Sequence, residues 1–200
     1  MEGKRLSKEK RREQIKGIAL KLFIDNGYSK TTMDEIVQAV GISKGGMYHH
    51  FSNKEEIFLE LLKDGNEYRK NLVVEYMREN SQSRNEKIVE MLLDKILDKN
   101  QYKDLYTVFL MEIQSNEKFK RLFKKIYDEG IEDFIEFCKK EGLEEYVSIS
   151  NYEFTLLMNS LYIGLYLFDD FEMSKLKEML KTMFEAYLMV ASALNRRDFE

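Results

Sequence analysis

The stretch that most constrains this chain is TMDEIVQAVGISKGGMYHHFSNK, Thr32 to Lys54, because it holds two helix starts and one sharp stop within a few turns of chain. Thr32 and Glu35 have the T-x-x-E spacing of a capping box, which satisfies two otherwise orphaned backbone N–H groups and lets a helix begin at Thr32. Met33, Ile36, Val37 and Val40 follow at i, i+3, i+4, i+7 and give that helix one apolar stripe. Gly41 comes directly after the stripe, where a residue at ease with positive φ ends a helix. Ser43 is placed to cap a second short helix, Lys44 to His50, and Ser52-x-x-Glu55 opens a third. Two short helices around a glycine-centred turn make a helix-turn-helix, whose second member carries Lys44, Tyr48 and two histidines with only Met47 and Phe51 to anchor it.

The rest of the chain reads as more helix. Ile15, Ile18, Ala19, Leu22 and Phe23 form a stripe on a helix over about 8–25, ended by Asn26-Gly27 and able to pack on Met33–Val40, with Met47 and Phe51 filling the third side of a small core. From Lys54 a long helix carries Ile57, Phe58, Leu61, Leu62, Tyr68, Leu72 and Tyr76 inward, weakened near Gly65, until the breaker around 81–85. Further helices follow over about 85–98, 102–114 and 116–141, the last with a stripe of Phe119, Leu122, Phe123, Ile126, Tyr127, Phe134 and Cys138. Proline is absent and glycine numbers only ten in 200 residues, which favours helices over sheets. The expected fold is all-α with about nine helices: a three-helix head, 1–53, on a body, 54–200, joined through a linking helix over 54–80.

The net charge of −4 looks wrong for a nucleic-acid binder until it is divided. Residues 1–54 hold eleven Lys/Arg against six Asp/Glu, a net +5, and the remaining 146 residues carry −9. A phosphate backbone feels the local field more than distant, screened charge, so the basic head is the informative part. On the second short helix, Lys44 is placed to reach a guanine edge or a phosphate, Gly45 and Gly46 let the backbone approach, and Tyr48 and His49 offer a hydroxyl and an imidazole. Thr32 and Lys54 would clamp the DNA backbone beside the groove. Two glycines cost about 1 kcal/mol each in a helix relative to alanine, so this helix is intrinsically weak. The basic stretch 1–14 fits either a solvated, frayed end or an arm that touches DNA.

Catalysis finds little support. The two histidines are adjacent, and no H-E-x-x-H, cysteine cluster, phosphate-cradling glycine loop or nucleophile elbow occurs. No metal or cofactor is therefore expected, and Asp169-Asp170 reads as a helix end. The single cysteine, Cys138, fits a reducing compartment, the N-terminus lacks the apolar region of a secretory signal, and no run reaches the roughly 20 apolar residues of a membrane span. A cytoplasmic protein is the expectation. A helical interaction module without ligand control, or without DNA binding, is the competing class.

The run GY…TTMDEIVQAVGISKGGMYHHFSNKEEIF resembles the DNA-binding head of the TetR/AcrR (tetracycline-repressor-like) family of bacterial transcriptional regulators, over about residues 8–60. The resemblance implies a homodimer on a palindromic DNA operator, a repressor as the commoner mode, and an all-α body that lowers DNA affinity when it holds a small molecule. By matched position it assigns DNA contact to Thr32, Ser43, Lys44, Gly45, Tyr48, His49 and Lys54, with His50 beside them. Gly46 departs from the family pattern, where Thr, Ser or Ala is commoner.

The last two helices, about 151–168 and 175–194, are apolar around most of their circumference. Such helices need cover on several sides, which predicts a homodimer whose last two helices pair with their mates in a four-helix bundle, against the alternative of a central pair buried in a monomer. Met91, Phe109, Met111, Met158, Tyr162, Tyr166 and Met183 are candidates for lining an apolar pocket for a hydrophobic or amphipathic effector, against the plainer reading as core. Glu112, among apolar neighbours, would suit a cationic ligand if buried and would otherwise face solvent.

Overall fold

Each stretch of helical periodicity folds as a helix in the computed structural model, which describes residues 6–78, 83–142, 147, 151–168 and 170–197, with the backbone alone at 77, 78, 84 and 191–197. Residues 1–5 of the basic stretch, 79 and 80 of the linking helix, 81 and 82 of the breaker, and Asp169 lie outside the described residues. Among the described residues there are nine α-helices: α1 (Lys8–Asn26), α2 (Met33–Val40), α3 (Lys44–His50), α4 (Lys54–Arg78), α5 (Arg84–Leu97), α6 (Gln101–Ile113), α7 (Glu117–Glu141), α8 (Tyr152–Leu167) and α9 (Met173–Arg197). Starts are marked by side-chain caps: Ser7 Oγ accepts from Lys10 N at 3.3 Å, Asn100 Oδ1 from Lys103 N at 2.9 Å, and Asn151 Oδ1 from Phe154 N at 2.8 Å. None of the described helices is long and apolar enough to cross a membrane.

The helices pack as two compact units, one of Met1–Asn66 with Asn100–Asn116, the other of Glu67–Lys99 with Glu117–Glu200. The expected division at 53/54 follows the DNA-binding motif; the packing divides the chain inside α4 and draws α6 into the first unit. The physical reason lies in α6 itself, which packs on α1 and buries Leu105, Val108 and Phe109. Ile15, Ala19 and Phe23 of α1, Ile36 of α2, Met47 of α3, Phe51, and Ile57 and Phe58 of α4 complete that core, each no more than 1% exposed. Phe58 is its aromatic hub, edge-on to Phe23 at 5.2 Å and to Tyr28 at 4.8 Å, with Phe109 at 6.2 Å. The inward stripe of α1 is broader than expected. Leu20 is buried while Ile18 and Leu22 are half-buried, consistent with α1 meeting both α2 and α6.

In the second unit α5 packs on α8 and α9. Ile88, Val89, Leu92, Leu93 and Ile96 are buried, as are Phe154, Met158 and Tyr162 of α8 and Leu180, Phe184 and Leu188 of α9. Phe154 stacks on Tyr187 at 5.0 Å, and Lys177 pairs with Glu90 at 3.6 Å. The α7 stripe is only partly covered: Phe119 and Cys138 are buried, whereas Leu122, Phe123, Ile126, Tyr127 and Phe134 are half-exposed. Apolar residues also remain outside on the last two helices, among them Leu156, Leu157, Tyr166 and Leu167 on α8 and Met179, Met183, Met189 and Val190 on α9.

Gly65 does not interrupt α4, which is continuous through it. It is buried, and a Cβ there would lie 3.2 Å from the Cβ of Tyr102, so its role is to let α6 approach α4 closely. Gly17 of α1 has nothing within 4 Å of such a Cβ. Gly65→Leu should therefore lower unfolding free energy by about 1–3 kcal/mol through overpacking, while Gly17→Ala should raise it by up to ~1 kcal/mol through helix propensity. Urea unfolding of the two variants beside the parent chain measures both, and equal midpoints for all three would refute the assignment.

Candidate nucleic-acid interface

The interface is built from the α2 start outward. Thr32 Oγ1 accepts from Glu35 N at 3.2 Å while Thr32 N donates to the Glu35 carboxylate at 2.7 Å, closing the capping box. The hydrogen bond from the Thr32 amide, with a second from its hydroxyl, holds the Glu35 carboxyl below the usual carboxylate range. Gly41 ends α2 in the left-handed region, φ 72° and ψ 36°, and its N–H reaches the Val37 and Gln38 carbonyls at 3.1 and 3.2 Å. Ser43 Oγ then accepts from Gly46 N at 3.1 Å and starts α3. A Cβ on Gly46 would stand 3.2 Å from that same Oγ, so this glycine makes room for the cap, whereas Gly45 is exposed with open space around it.

Met47 is wholly buried and Phe51 nearly so, which seats α3 on the core and turns its other side outward. Exposed there are Ser43, Lys44, Gly45, Tyr48 and His49, with Thr32 exposed at the start of α2. Tyr48 is 53% exposed, a large value for an aromatic side chain. Lys44 Nζ rests 2.8 Å from Asp34 Oδ2, and that hydrogen bond raises the Lys44 pKa. Any phosphate or guanine that takes Lys44 must share its ammonium with Asp34 or displace that carboxylate.

Two members of the expected set sit elsewhere. Lys54 is half-buried, and its ammonium donates to the carbonyls of Tyr28 at 2.8 Å and Thr31 at 2.7 Å while lying 4.2 Å from the centre of the Tyr28 ring. Two of its three donors are thus committed to the α1–α2 link, so a free cation beside the groove is not what this geometry provides. Burial, against the fields of Glu112 and Glu35, lowers its pKa. His50 turns inward: its Nδ1 is buried without a hydrogen-bond partner, and burial together with His49, Arg12, Lys8 and Arg11 pushes its pKa down.

Sequence reasoning missed Arg12. It donates to the His50 carbonyl and to the Glu60 carboxylate, and its guanidinium lies 4.0 Å from the centre of the Phe51 ring. One side chain of α1 therefore satisfies the C-terminal end of α3 and ties it to α4. Lys16 adds a second tie, with Asp64 and Glu13 each at 2.7 Å; burial lowers its pKa, and the two carboxylates outweigh that and raise it. Apart from the Lys16–Glu13 pair, no local pattern marks these contacts, since His50, Glu60 and Asp64 lie 38 to 48 positions away.

Glu112 is half-buried. Its carboxylate accepts from the amide and hydroxyl of Ser29, at 3.0 and 2.5 Å. Of the candidate pocket residues, Phe109 is buried in the core of the first unit and Met158 and Tyr162 in that of the second, Met91 is half-buried, and Met111, Tyr166 and Met183 are exposed.

Residues 18–61 match the family model described as bacterial regulatory proteins, tetR family. The chain is 51% identical over 51 residues to the HTH-type transcriptional regulator QacR of Staphylococcus aureus, covering 26% of this chain and 27% of that one. It is 43% identical over 60 residues to the HTH-type transcriptional activator FasR of Mycolicibacterium smegmatis, 30% of this chain and 27% of that one. These matches span about a quarter of each relative's length. The whole fold is similar to Salmonella enterica GusR, with a TM-score of 0.65 at 17% identity over 94% of this chain and 98% of that one.

Because His50 is held neutral below its ordinary pKa of 6.5, the unfolded chain binds its proton more readily than the folded one. The contribution is intact above about pH 6.5 and is lost as pH falls below it. Thermal unfolding at pH 7.5 and 5.5 should show a larger loss for the parent than for His50→Gln; equal losses would remove His50 as the cause.

Proposed function

We propose that this chain, whose residues 18–61 match the family model of bacterial regulatory proteins of the tetR family, is a ligand-responsive transcriptional regulator. It binds a palindromic operator as a homodimer, represses from it, and releases it when a small hydrophobic or amphipathic molecule occupies the body. The observation that carries DNA binding is the outward face of α3: Lys44, Tyr48 and His49 exposed on a helix whose Met47 is wholly buried, in a head of net +5. That face suits direct readout, with phosphate contacts from the flanking caps at Thr32 and Ser43. The reading gives Gly45 the close backbone approach. Lys54 and His50 act behind the surface, and Gly46 serves the Ser43 cap. The relatives matched are named as transcriptional regulators, which supports a non-enzymatic role.

Dimerisation rests on the uncovered apolar faces of α8 and α9, where Leu156, Leu157, Met189 and Val190 are each 40% or more exposed. A second copy of the same pair would cover them as a four-helix bundle and set two heads about one helical turn of DNA, or a multiple, apart. Effector control is what the likeness to the tetR family implies for the body.

A gel-shift on the DNA upstream of the protein's own coding sequence tests the reading. A salt-sensitive, sequence-preferring complex is expected, and Lys44→Ala should flatten discrimination at one base pair by about 1–3 kcal/mol. Absence of any sequence preference would sink it. Sedimentation should give a dimer that Leu157→Glu with Met189→Glu converts to a monomer with its helix content intact; a dimer surviving both charges would place the interface elsewhere.

A further inference from the structure

The link between α1 and α2, Gly27 to Thr32, is gripped by two groups of opposite charge that come from distant parts of the sequence. From α6, the Glu112 carboxylate takes the Ser29 amide at 3.0 Å and the Ser29 hydroxyl at 2.5 Å. From α4, the Lys54 ammonium takes the Tyr28 and Thr31 carbonyls at 2.8 and 2.7 Å. Inside the link Thr31 Oγ1 donates to the Gly27 carbonyl at 2.8 Å, and the Tyr28 ring is buried against Phe23 and Phe58. Burial, with the fields of Glu55 and Glu112, pushes the Tyr28 hydroxyl up to about 12.

An anion on the link's N–H and a cation on its carbonyls is the arrangement that fixes a short irregular segment most firmly, since each bond is charge-assisted. The next residue after the link's last carbonyl contact is Thr32, whose capping box starts α2, and α3 follows α2 through the Gly41 turn. The link therefore sets where the reading helix stands relative to α1 and α4. We infer that Glu112, a residue of α6 lying 83 positions beyond Ser29, is a positioning residue for DNA reading: through Ser29 it holds the α1–α2 link in register, in partnership with Lys54. It makes no contact with DNA. The inference rests on the reading of the chain as a DNA binder.

The sign of one substitution separates this role from two simpler ones. Removing a carboxylate near a DNA-binding surface should raise affinity if the carboxylate only repels phosphates. Removing a contact that only stabilises the fold should lower the thermal midpoint and leave affinity unchanged well below it. A positioning role predicts weaker binding with an unchanged slope of log K against log salt, because no phosphate contact is lost.

The test uses the full chain and a duplex that the unaltered protein enriches from a randomised pool. For Glu112→Ala, hydrogen exchange at the Ser29 amide should quicken about tenfold, and affinity for the selected duplex should fall about tenfold at 15–20 °C below the midpoint, as expected for loss of a charge-assisted hydrogen bond. Ser29→Ala, an exposed and milder change, should lose several-fold, and the double variant should bind no worse than Glu112→Ala alone. Unchanged or higher affinity in both single variants overturns the proposal, as does an unchanged exchange rate at Ser29. Failure of the unaltered chain to enrich any duplex sinks the DNA reading and takes the proposal with it. That failure is distinguishable from an absent clamp because the exchange measurement needs no DNA.

Discussion

A helix of seven residues, two of them glycines, does not persist in water by its own hydrogen bonds, and α3 is such a helix. Its existence depends on Met47 and Phe51, which bury one side in the core of the first unit and leave the other side to face outward. Both ends are then closed by side chains: Ser43 at the start, from its own strand of sequence, and Arg12 at the end, from α1. The surface that reads as a DNA interface is thus made rigid from behind. Residues on that surface gain their positions from residues that never reach it.

The same logic extends to charge. Several of the cations in the basic head are occupied: Arg12 by Glu60, Lys16 by Asp64 and Glu13, Lys54 by backbone carbonyls, and Lys44 by Asp34. The first three are partly buried and hold helices together; Lys44 and Asp34 are both exposed. A surface pair of that kind contributes about 0–1 kcal/mol, so a phosphate can displace it at little cost. Net charge alone would have counted all four cations as equally available to DNA.

In α6 the same division of labour crosses the boundary between sequence regions. Its apolar face completes the core beneath Phe58, and Glu112 near its C-terminal end meets the α1–α2 link. A segment from the middle of the chain is thereby part of the unit that presents α3, while α8 and α9 leave apolar side chains exposed in a single copy. The two facts assign different work to helices that look alike in composition.

Local signals were legible because their causes are local. Capping pairs such as Thr32 and Glu35, the left-handed stop at Gly41 and the 3.6-residue stripes act within a few residues, so helix starts, the turn and the seat of α3 at Met47 and Phe51 follow from the sequence by itself. The basic head and the exposed Lys44, Tyr48 and His49 follow in the same way. The roles of Lys54, Arg12, Gly65 and Glu112 did not, since each is defined by a partner on another helix. Lys54 could reach a phosphate or a pair of carbonyls with equal chemical ease. Gly65 could have weakened a helix or admitted Tyr102. Only the tertiary packing decides between such alternatives, because it determines which polar groups lose their water and must find partners within the protein.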